Sequence, residues 1–254
     1  MAVIDPPAFS IVIPMFNERA GATRCVERIS LALEGLGGDS YFVVVDDGST
    51  DGTGMLIDEM SLVTPLLRVV HHENNQGYGA ALRTGARIAS QFGAEWALFM
   101  DSDLTNPPED IAKFLEQMTS DVDYVKASRY IERGHVIGVP LWRRAVSLFA
   151  NVIARHAFNL PLTDLTNGFR AMRLETFLEL PLQENGFPII LEEAYWASRK
   201  KLRCAEIATT LTNRGRDMRG SSFIYSPRMF YLYGRYLGKA VVYRVWSVLA
   251  QILG

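Results

Sequence analysis

Trp96-Ala97-Leu98-Phe99-Met100-Asp101-Ser102-Asp103 is the stretch that decides the fold class of this 254-residue chain. The apolar run Trp96 to Met100 reads as a buried strand. Two carboxylates follow one residue apart, and Asn106-Pro107-Pro108 stops the strand there. Alternation turns both acids to the same side, outward from the sheet edge. Two like charges that close are unfavourable unless a cation bridges them. Hard oxygen ligands at this density suit Mg²⁺ or Mn²⁺ shared with a substrate's phosphates. The alternative is a solvated turn that carries two acids.

Outward from this strand the chain alternates. Phe9 to Pro14, Tyr41 to Asp46 and Leu66 to Val70 read as strands. Glu18 to Leu36, a segment capped by Ser49-Thr50-Asp51 and running through Met60, and Gly77 to Phe92 read as helices. That order predicts an α/β fold, a parallel sheet with right-handed crossovers. Ligands in such sheets lie at the carboxyl ends of strands. Pro14-Met15-Phe16-Asn17-Glu18, Asp46-Asp47-Gly48-Ser49 and Asp101-Ser102-Asp103 all fall on that edge. Toward the C-terminus, Pro107 to Met118 reads as helical, Tyr124 to Ser128 as a strand, Pro188 to Lys200 as a helix and Arg203 to Thr212 as a strand. Pro140 to Phe158 is an amphipathic helix with Trp142, Val146, Phe149, Ile153 and Ala157 on one stripe. A long helix starts near Pro227. The chain divides into a body over residues 1–220 and a C-terminal amphipathic segment over 221–254.

A hydrophobic fraction of 48% and a charged fraction of 21% describe a globular protein with a real core. No run of 18 apolar residues occurs, so no membrane span is expected. Met1 to Pro6 has neither the basic start nor the apolar centre of a signal peptide. Two cysteines, Cys25 and Cys204, give no disulfide framework and no zinc spacing, as in a reducing compartment. Residues 1–198 hold 15 Lys/Arg against 26 Asp/Glu, a balance of −11; residues 199–254 hold 11 against 2, a balance of +9. A basic end on an acidic body predicts an anionic partner there, a membrane surface or a phosphate-bearing substrate. No nucleic-acid motif is present.

At Asp46-Asp47-Gly48-Ser49 a carboxylate can accept hydrogen bonds from ribose hydroxyls or a base N–H, or the motif is simply a turn. Asn75 to Gly85 opens a helix with Gly77 and Gly79, which suits backbone approach to an anion or close helix–sheet packing. In Ser128-Arg129-Tyr130 the arginine can neutralise a diphosphate and the serine can donate a hydrogen bond. His71, His72, His135 and His156 lack metal spacing and read as surface or core imidazoles.

Ile13 to Glu18, Val45 to Thr53, Gly77 to Leu82 and Asp101 to Pro108, in that order, resemble the GT-A-fold, family 2 inverting glycosyltransferases. Ser128-Arg129-Tyr130 and Asp164 to Ala171 narrow the resemblance to the dolichyl-phosphate mannose synthase and polyprenyl-phosphate glycosyltransferase branch. It covers roughly residues 9–220. The late Arg-x-x-Gly-x-Ser-Lys segment corresponds to Arg216 to Ser222 without its lysine.

The resemblance implies roles. Pro14, Phe16, Glu18 and Gly77 line a nucleotide pocket, with Asp46 and Asp47 near base and ribose. Asp101 and Asp103, with Ser102 between them, hold the divalent metal against a nucleotide-sugar diphosphate, and Arg216 closes over the donor. Ser128, Arg129 and Arg170 lie on the acceptor side, and Asp164 lines the reaction centre. The acceptor implied is a lipid phosphate, already anionic. A hydroxyl acceptor would instead require a base, for which Glu192, Glu193 and Asp164 are the candidates. A non-catalytic nucleotide-binding subunit is the third reading. In the C-terminal helix, Phe230, Tyr233, Leu237, Val241, Val245, Val248 and Ile252 share one face opposite Arg228, Arg235 and Lys239. Such a helix lies in a membrane interface or packs on its own domain or a partner. The expected location is cytoplasmic, peripheral on the cytosolic face of a membrane.

Overall fold

The computed structural model describes residues 8–36, 40–212 and 226–253. In it the chain runs β1 (Phe9–Met15), α1 (Arg19–Glu34), β2 (Ser40–Asp46), α2 (Thr53–Ser61), β3 (Leu67–His71), α3 (Tyr78–Gln91) and β4 (Trp96–Phe99). A 3-10 turn at Pro108–Asp110 leads into α4 (Ile111–Gln117), followed by β5 (Tyr124–Ser128), β6 (His135–Val136) and α5 (Leu141–Phe158). Then come β7 (Arg170–Arg173), α6 (Leu174–Glu179), α7 (Ile189–Lys200), β8 (Cys204–Ala208), β9 (Thr210–Leu211) and α8 (Pro227–Leu253).

Ile11-Val12-Ile13 and Phe42-Val43-Val44-Val45 offer no polar side to water, so such runs fold only where helices cover both faces of a sheet. All seven of these residues are inaccessible. The sheet has seven strands in the order β3-β2-β1-β4-β7-β5-β8. β1 to β4 are parallel, and β8 is parallel to β5. Alternation splits the strand residues between two layers. Ile11 and Ile13 join α1, α2 and α4 on one face. Val12, Ala97 and Phe99 join α3, α5, α6, α7 and α8 on the other.

The mostly parallel sheet matches the expectation from sequence, with two differences. β7 was not foreseen. It enters the sheet antiparallel to both β4 and β5. Its four residues begin and end in arginine, and pairing on both sides is what makes them a strand. The second difference is that the strand expected over Arg203 to Thr212 breaks at Thr209. β8 stays in the main sheet, while β9 pairs with β6 in a separate two-stranded sheet.

α5 turns most of its apolar stripe away from the core. Trp142, Val146, Phe149 and Ile153 face outward, while Asn151, Ala154 and Phe158 are buried. α8 lies against α5 and α7. Tyr236 and Ala240 are buried in the second layer, with Tyr233 and Leu237 half-buried beside them. Phe230, Val241 and Val245 of the expected stripe are exposed, together with Val242 and Trp246. The side chains of Val248 and Ile252 lie outside the described residues. Among the described residues, no helix is long and apolar enough to cross a membrane.

Candidate active site

The carboxyl ends of β1, β2 and β4 open into a cavity of about 810 Å³. Pro14, Phe16 and Glu18 line it from the loop after β1, Asp47 from the end of β2, Gly77 from the start of α3, and Asp101, Ser102 and Asp103 from the end of β4. Local chemistry fixes these loops. Asn17 turns into the left-handed region at φ 53°. Its amide donates to Ser49 Oγ at 2.8 Å and its side-chain oxygen accepts from the Thr50 amide at 2.8 Å. Glu18 N donates to Thr53 Oγ1 at 3.0 Å. The β1 and β2 loops are thereby tied together along one wall.

The two acids after β2 have separate tasks. Asp47 accepts from Gln76 N and Gly77 N at 2.8 Å each, bracing the entry to α3 while it faces the cavity. His72 Nδ1 lies 2.7 Å from Asp47 Oδ1, and its Nε2 lies 3.0 Å from Thr84 Oγ1. Asp46 is buried and turned away from the cavity. It accepts from Ser49 N at 3.2 Å and sits 3.1 Å from His71 Nδ1. Burial works against the His71 imidazolium, but hydrogen bonds to Asp58 and Asp46 raise its pKa overall. Neither histidine is a bystander. The available signal was strand register, which sets His71 directly opposite Asp46. Gly77 sits at φ 101°, and a Cβ there would collide with the Asn185 carbonyl oxygen. Gly85 serves helix–sheet packing, since a Cβ would strike Val12.

Both acids face the cavity together with Ser102, so the turn that follows β4 places them and strand alternation does not. Tyr78 donates its hydroxyl proton to Asp101 Oδ1 at 3.0 Å. Leu104 adopts φ 54°, so the chain folds back and Thr105 donates to Asp103 Oδ1 from its amide at 3.0 Å and its hydroxyl at 2.8 Å. Among the described residues no third His, Cys, Asp or Glu joins them. Two hard carboxylates beside an open cavity fit Mg²⁺ or Mn²⁺, which take further ligands from phosphate oxygens and water. They do not fit zinc, which prefers a fuller set of nitrogen and sulfur ligands.

Arg129 lines the opposite wall. Its Nε and Nη2 donate to the two oxygens of Asp164 at 2.6 and 2.8 Å, and Nη2 also donates to Thr166 Oγ1 at 2.9 Å. Asp164 is fully buried. Burial pushes its pKa up, and the Arg129 charge and hydrogen bonds override that and hold it below the ordinary carboxylate value. Ser128 is buried behind the wall, 2.6 Å from Thr163 Oγ1. Arg170 also stands behind the site. It is fully buried, forms a two-pronged pair with Glu193 and donates to the Gly168 carbonyl at 2.7 Å. That geometry makes Arg170 a support for the turn before β7 and keeps its guanidinium out of the cavity. Arg214, Arg216 and Arg219 lie outside the described residues.

Sequence reading missed Arg143 and Ser147. Both line the cavity from α5, beside Arg129. Ser147 Oγ accepts from the Tyr130 hydroxyl at 2.9 Å. The one cue was their position on a helix with an outward apolar stripe. The lining also holds apolar side chains, Val139, Val146, Ile190, Met229, Phe230 and Tyr233, which α5, α7 and α8 contribute together with the segment before α5. The three carboxylates considered as bases are committed elsewhere. Asp164 holds Arg129, Glu193 holds Arg170, and Glu192 accepts from the amides of Gln183 and Glu184.

A family model described as glycosyl transferase family 2 matches residues 10–180. Polyprenol monophosphomannose synthase of Mycolicibacterium smegmatis is 32% identical over 209 residues, covering 80% of this chain and 77% of that protein. Dolichol-phosphate mannosyltransferase of Pyrococcus furiosus is 34% identical over 187 residues, covering 72% of this chain and 51% of that protein, so the chain spans about half of that relative's length. Glucosyl-3-phosphoglycerate synthase from Mycobacterium tuberculosis, solved with Mn²⁺, uridine diphosphate and phosphoglyceric acid, superposes with a TM-score of 0.63 at 20% identity. That match covers 94% of this chain and 78% of the other and is a likeness of fold.

Proposed function

The chain belongs to glycosyl transferase family 2 and is a glycosyltransferase, and we propose that it moves a sugar from a nucleoside-diphosphate donor to a polyprenyl or dolichyl phosphate, with inversion at the anomeric carbon. The observation that carries this reading is the polarity of the cavity. One lining carries an acid pair, the arginines Arg129 and Arg143, and apolar side chains from α5 and α8. A donor diphosphate with its metal and a lipid phosphate with its tail call for those three kinds of surface.

Pro14, Phe16, Glu18, Asp47 and Gly77 form the nucleotide end. Asp101 and Asp103 would hold Mg²⁺ or Mn²⁺, which supplies charge neutralisation for the departing diphosphate. Arg129, fixed by Asp164, and Arg143 hold the acceptor phosphate in line with the sugar. A phosphate oxygen is already a nucleophile, so the reaction runs without a general base. The engagement of Asp164, Glu192 and Glu193 by other groups agrees with that. The outward side chains of α5 and α8, flanked by Arg143, Arg144, Arg228 and Lys239, lay the mouth of the cavity on the lipid surface. The contact is peripheral, and the free thiols of Cys25 and Cys204 are compatible with the cytosolic face.

The test is transfer of label from GDP- and UDP-sugars into the organic phase, with polyprenyl phosphate and Mg²⁺ or Mn²⁺ present. Both relatives above are named for mannose transfer, so GDP-mannose leads the panel. The expected result is metal-dependent labelling from one donor, abolished by EDTA and lowered at least about 10²-fold in Asp103→Ala. Labelling of a water-soluble hydroxyl acceptor instead would overturn the lipid-phosphate assignment.

A further inference from the structure

Lys126 occupies the middle of β5 and has no exposed surface. An unshielded ammonium at such a position is costly, and an apolar side chain would fill the same space more cheaply. Its Nζ donates to the Asn167 carbonyl at 2.7 Å and reaches the Leu165 carbonyl at 3.5 Å. Arg170 from β7, Glu193 from α7, Asp164 from the turn, Arg129 beyond the end of β5 and Cys204 of β8 face it. Burial, and then Arg170, press its pKa down to about 7.

The turn that Lys126 grips forms one wall of the reaction cavity. Thr166 in this turn accepts from Arg129 at 2.9 Å. Gly168 abuts the acid pair so closely that a Cβ there would come 3.1 Å from Asp101 Oδ2. In the turn between Asp164 and Arg170 the Phe169 carbonyl accepts from Ala127 N of β5 at 3.0 Å, and the carbonyls of Leu165, Asn167 and Gly168 need other donors. Arg170 satisfies that of Gly168, and Lys126 those of Asn167 and Leu165. Asn167 adds a side-chain bond to the Ala127 carbonyl at 3.0 Å. Two buried cations thus hold one turn from beneath, and the turn touches the acceptor arginine at one point and the acid pair at another.

We propose that Lys126 is a positioning residue for sugar transfer: through the carbonyls of Leu165 and Asn167 it holds Thr166 against Arg129 and Gly168 against Asp101, and so sets the spacing between acceptor phosphate and donor diphosphate. The inference rests on the transferase reading above. Lys126 touches no substrate. Its effect is on the alignment of the two reactants and leaves the nucleotide end, built from the β1 and β2 loops, undisturbed.

The experiment compares wild type with Lys126→Met, which keeps length and volume and removes the donors. Three quantities are read: thermal midpoint, kcat and donor KM in the transfer assay, and amide hydrogen exchange of residues 165–168 without substrates. The expected result is a midpoint at or above wild type, kcat lowered at least tenfold, donor KM within twofold, and faster exchange confined to the turn. Unchanged kcat and unchanged exchange in a folded variant would overturn the proposal, as would a rise in donor KM matching the loss in kcat. Should the methionine variant not fold, Lys126→Leu, which also removes the donors, is read in its place by the same criteria. A wild type that transfers nothing to lipid phosphate counts against the acceptor assignment, and kcat and donor KM are then read with the acceptor that is labelled. The exchange measurement uses no substrate, and unchanged exchange overturns the hold of Lys126 on the turn in either case.

Discussion

Asp164 shows how one buried carboxylate can serve both stability and chemistry. It accepts both prongs of the Arg129 guanidinium and has no exposure to solvent. Its pKa in the folded state lies below the ordinary value because Arg129 outweighs burial. A depressed carboxylate contributes stability that is complete above its unfolded value of about 3.9 and is lost as pH falls through the folded value. Asp164→Asn removes the carboxylate charge beside the mostly buried Arg129, so unfolding at pH 7 should become easier by about 3 kcal/mol. The gap to wild type should then shrink as pH falls below about 4, where wild-type Asp164 is itself protonated on unfolding. Urea unfolding of both proteins at pH 7 and pH 3 checks this, and a gap of equal size at both would contradict it. At this scale the sequence was legible where chemistry repeats in motifs. Asp101, Asp103, Arg129 and Asp47 reach the cavity as expected. Asp46 and Arg170 do not, because a motif gives residue type and order while burial decides which way a side chain faces. Arg143 and Ser147 belong to no motif and became visible only when α5 was placed.

α5 and α8 are where helical patterning gave the kind of element and left its direction open. Both are amphipathic, and both run over the expected residues. A wheel sends the largest apolar stripe to the core, yet in α5 that stripe faces out and Asn151 faces in. The reason is specific. Asn151 Oδ1 accepts from Leu165 N at 2.7 Å, and its Nδ2 donates to Thr166 Oγ1 at 3.0 Å, so the turn before β7 needs that amide. Trp142, Phe149 and Val152 of α5 and Val242 and Trp246 of α8 remain exposed on these two packed helices. Phe149→Glu combined with Val242→Glu should reduce co-sedimentation with vesicles containing anionic lipid, while stability changes by no more than about 0.5 kcal/mol per site. Undiminished co-sedimentation would remove these helices from the membrane contact. α8 is also tied to the nucleotide end. Arg235 pairs with Glu184 and the Tyr236 hydroxyl donates to it at 2.9 Å, while Asn185 backs Gly77.

For the molecule as a whole, the proposed donor and metal site draws on three strand ends. On that proposal a nucleoside diphosphate with Mn²⁺ binds the folded chain alone, so at 100 times its dissociation constant it should add about 2.7 kcal/mol of stability. The measurable form is a rise in thermal midpoint that EDTA or Asp103→Ala removes. A shift that survives both would place nucleotide binding away from the acid pair. The α/β class and the edge that carries the site were legible because long apolar runs and short polar loops alternate locally. β7 was not, since four residues that begin and end in arginine acquire strand character only from neighbours about 45 and 75 positions earlier in the chain.

That late strand has a kinetic consequence. β4 and β5 follow each other in sequence with only α4 and a short turn between them, yet in the sheet they never touch, because β7 separates them. During synthesis the first four strands can pair as they emerge, but β5 has no sheet partner until residues 170–173 arrive, and β8 then adds to the outer edge of β5. Until then β4 presents a bare edge, open to pairing with another chain. The sheet therefore closes at its middle and closes late, through long-range contacts that slow folding. The step that seats β7 is also the step that brings Gly168 to Asp101. The chain thus gains its reaction centre and loses its aggregation-prone edge in a single event.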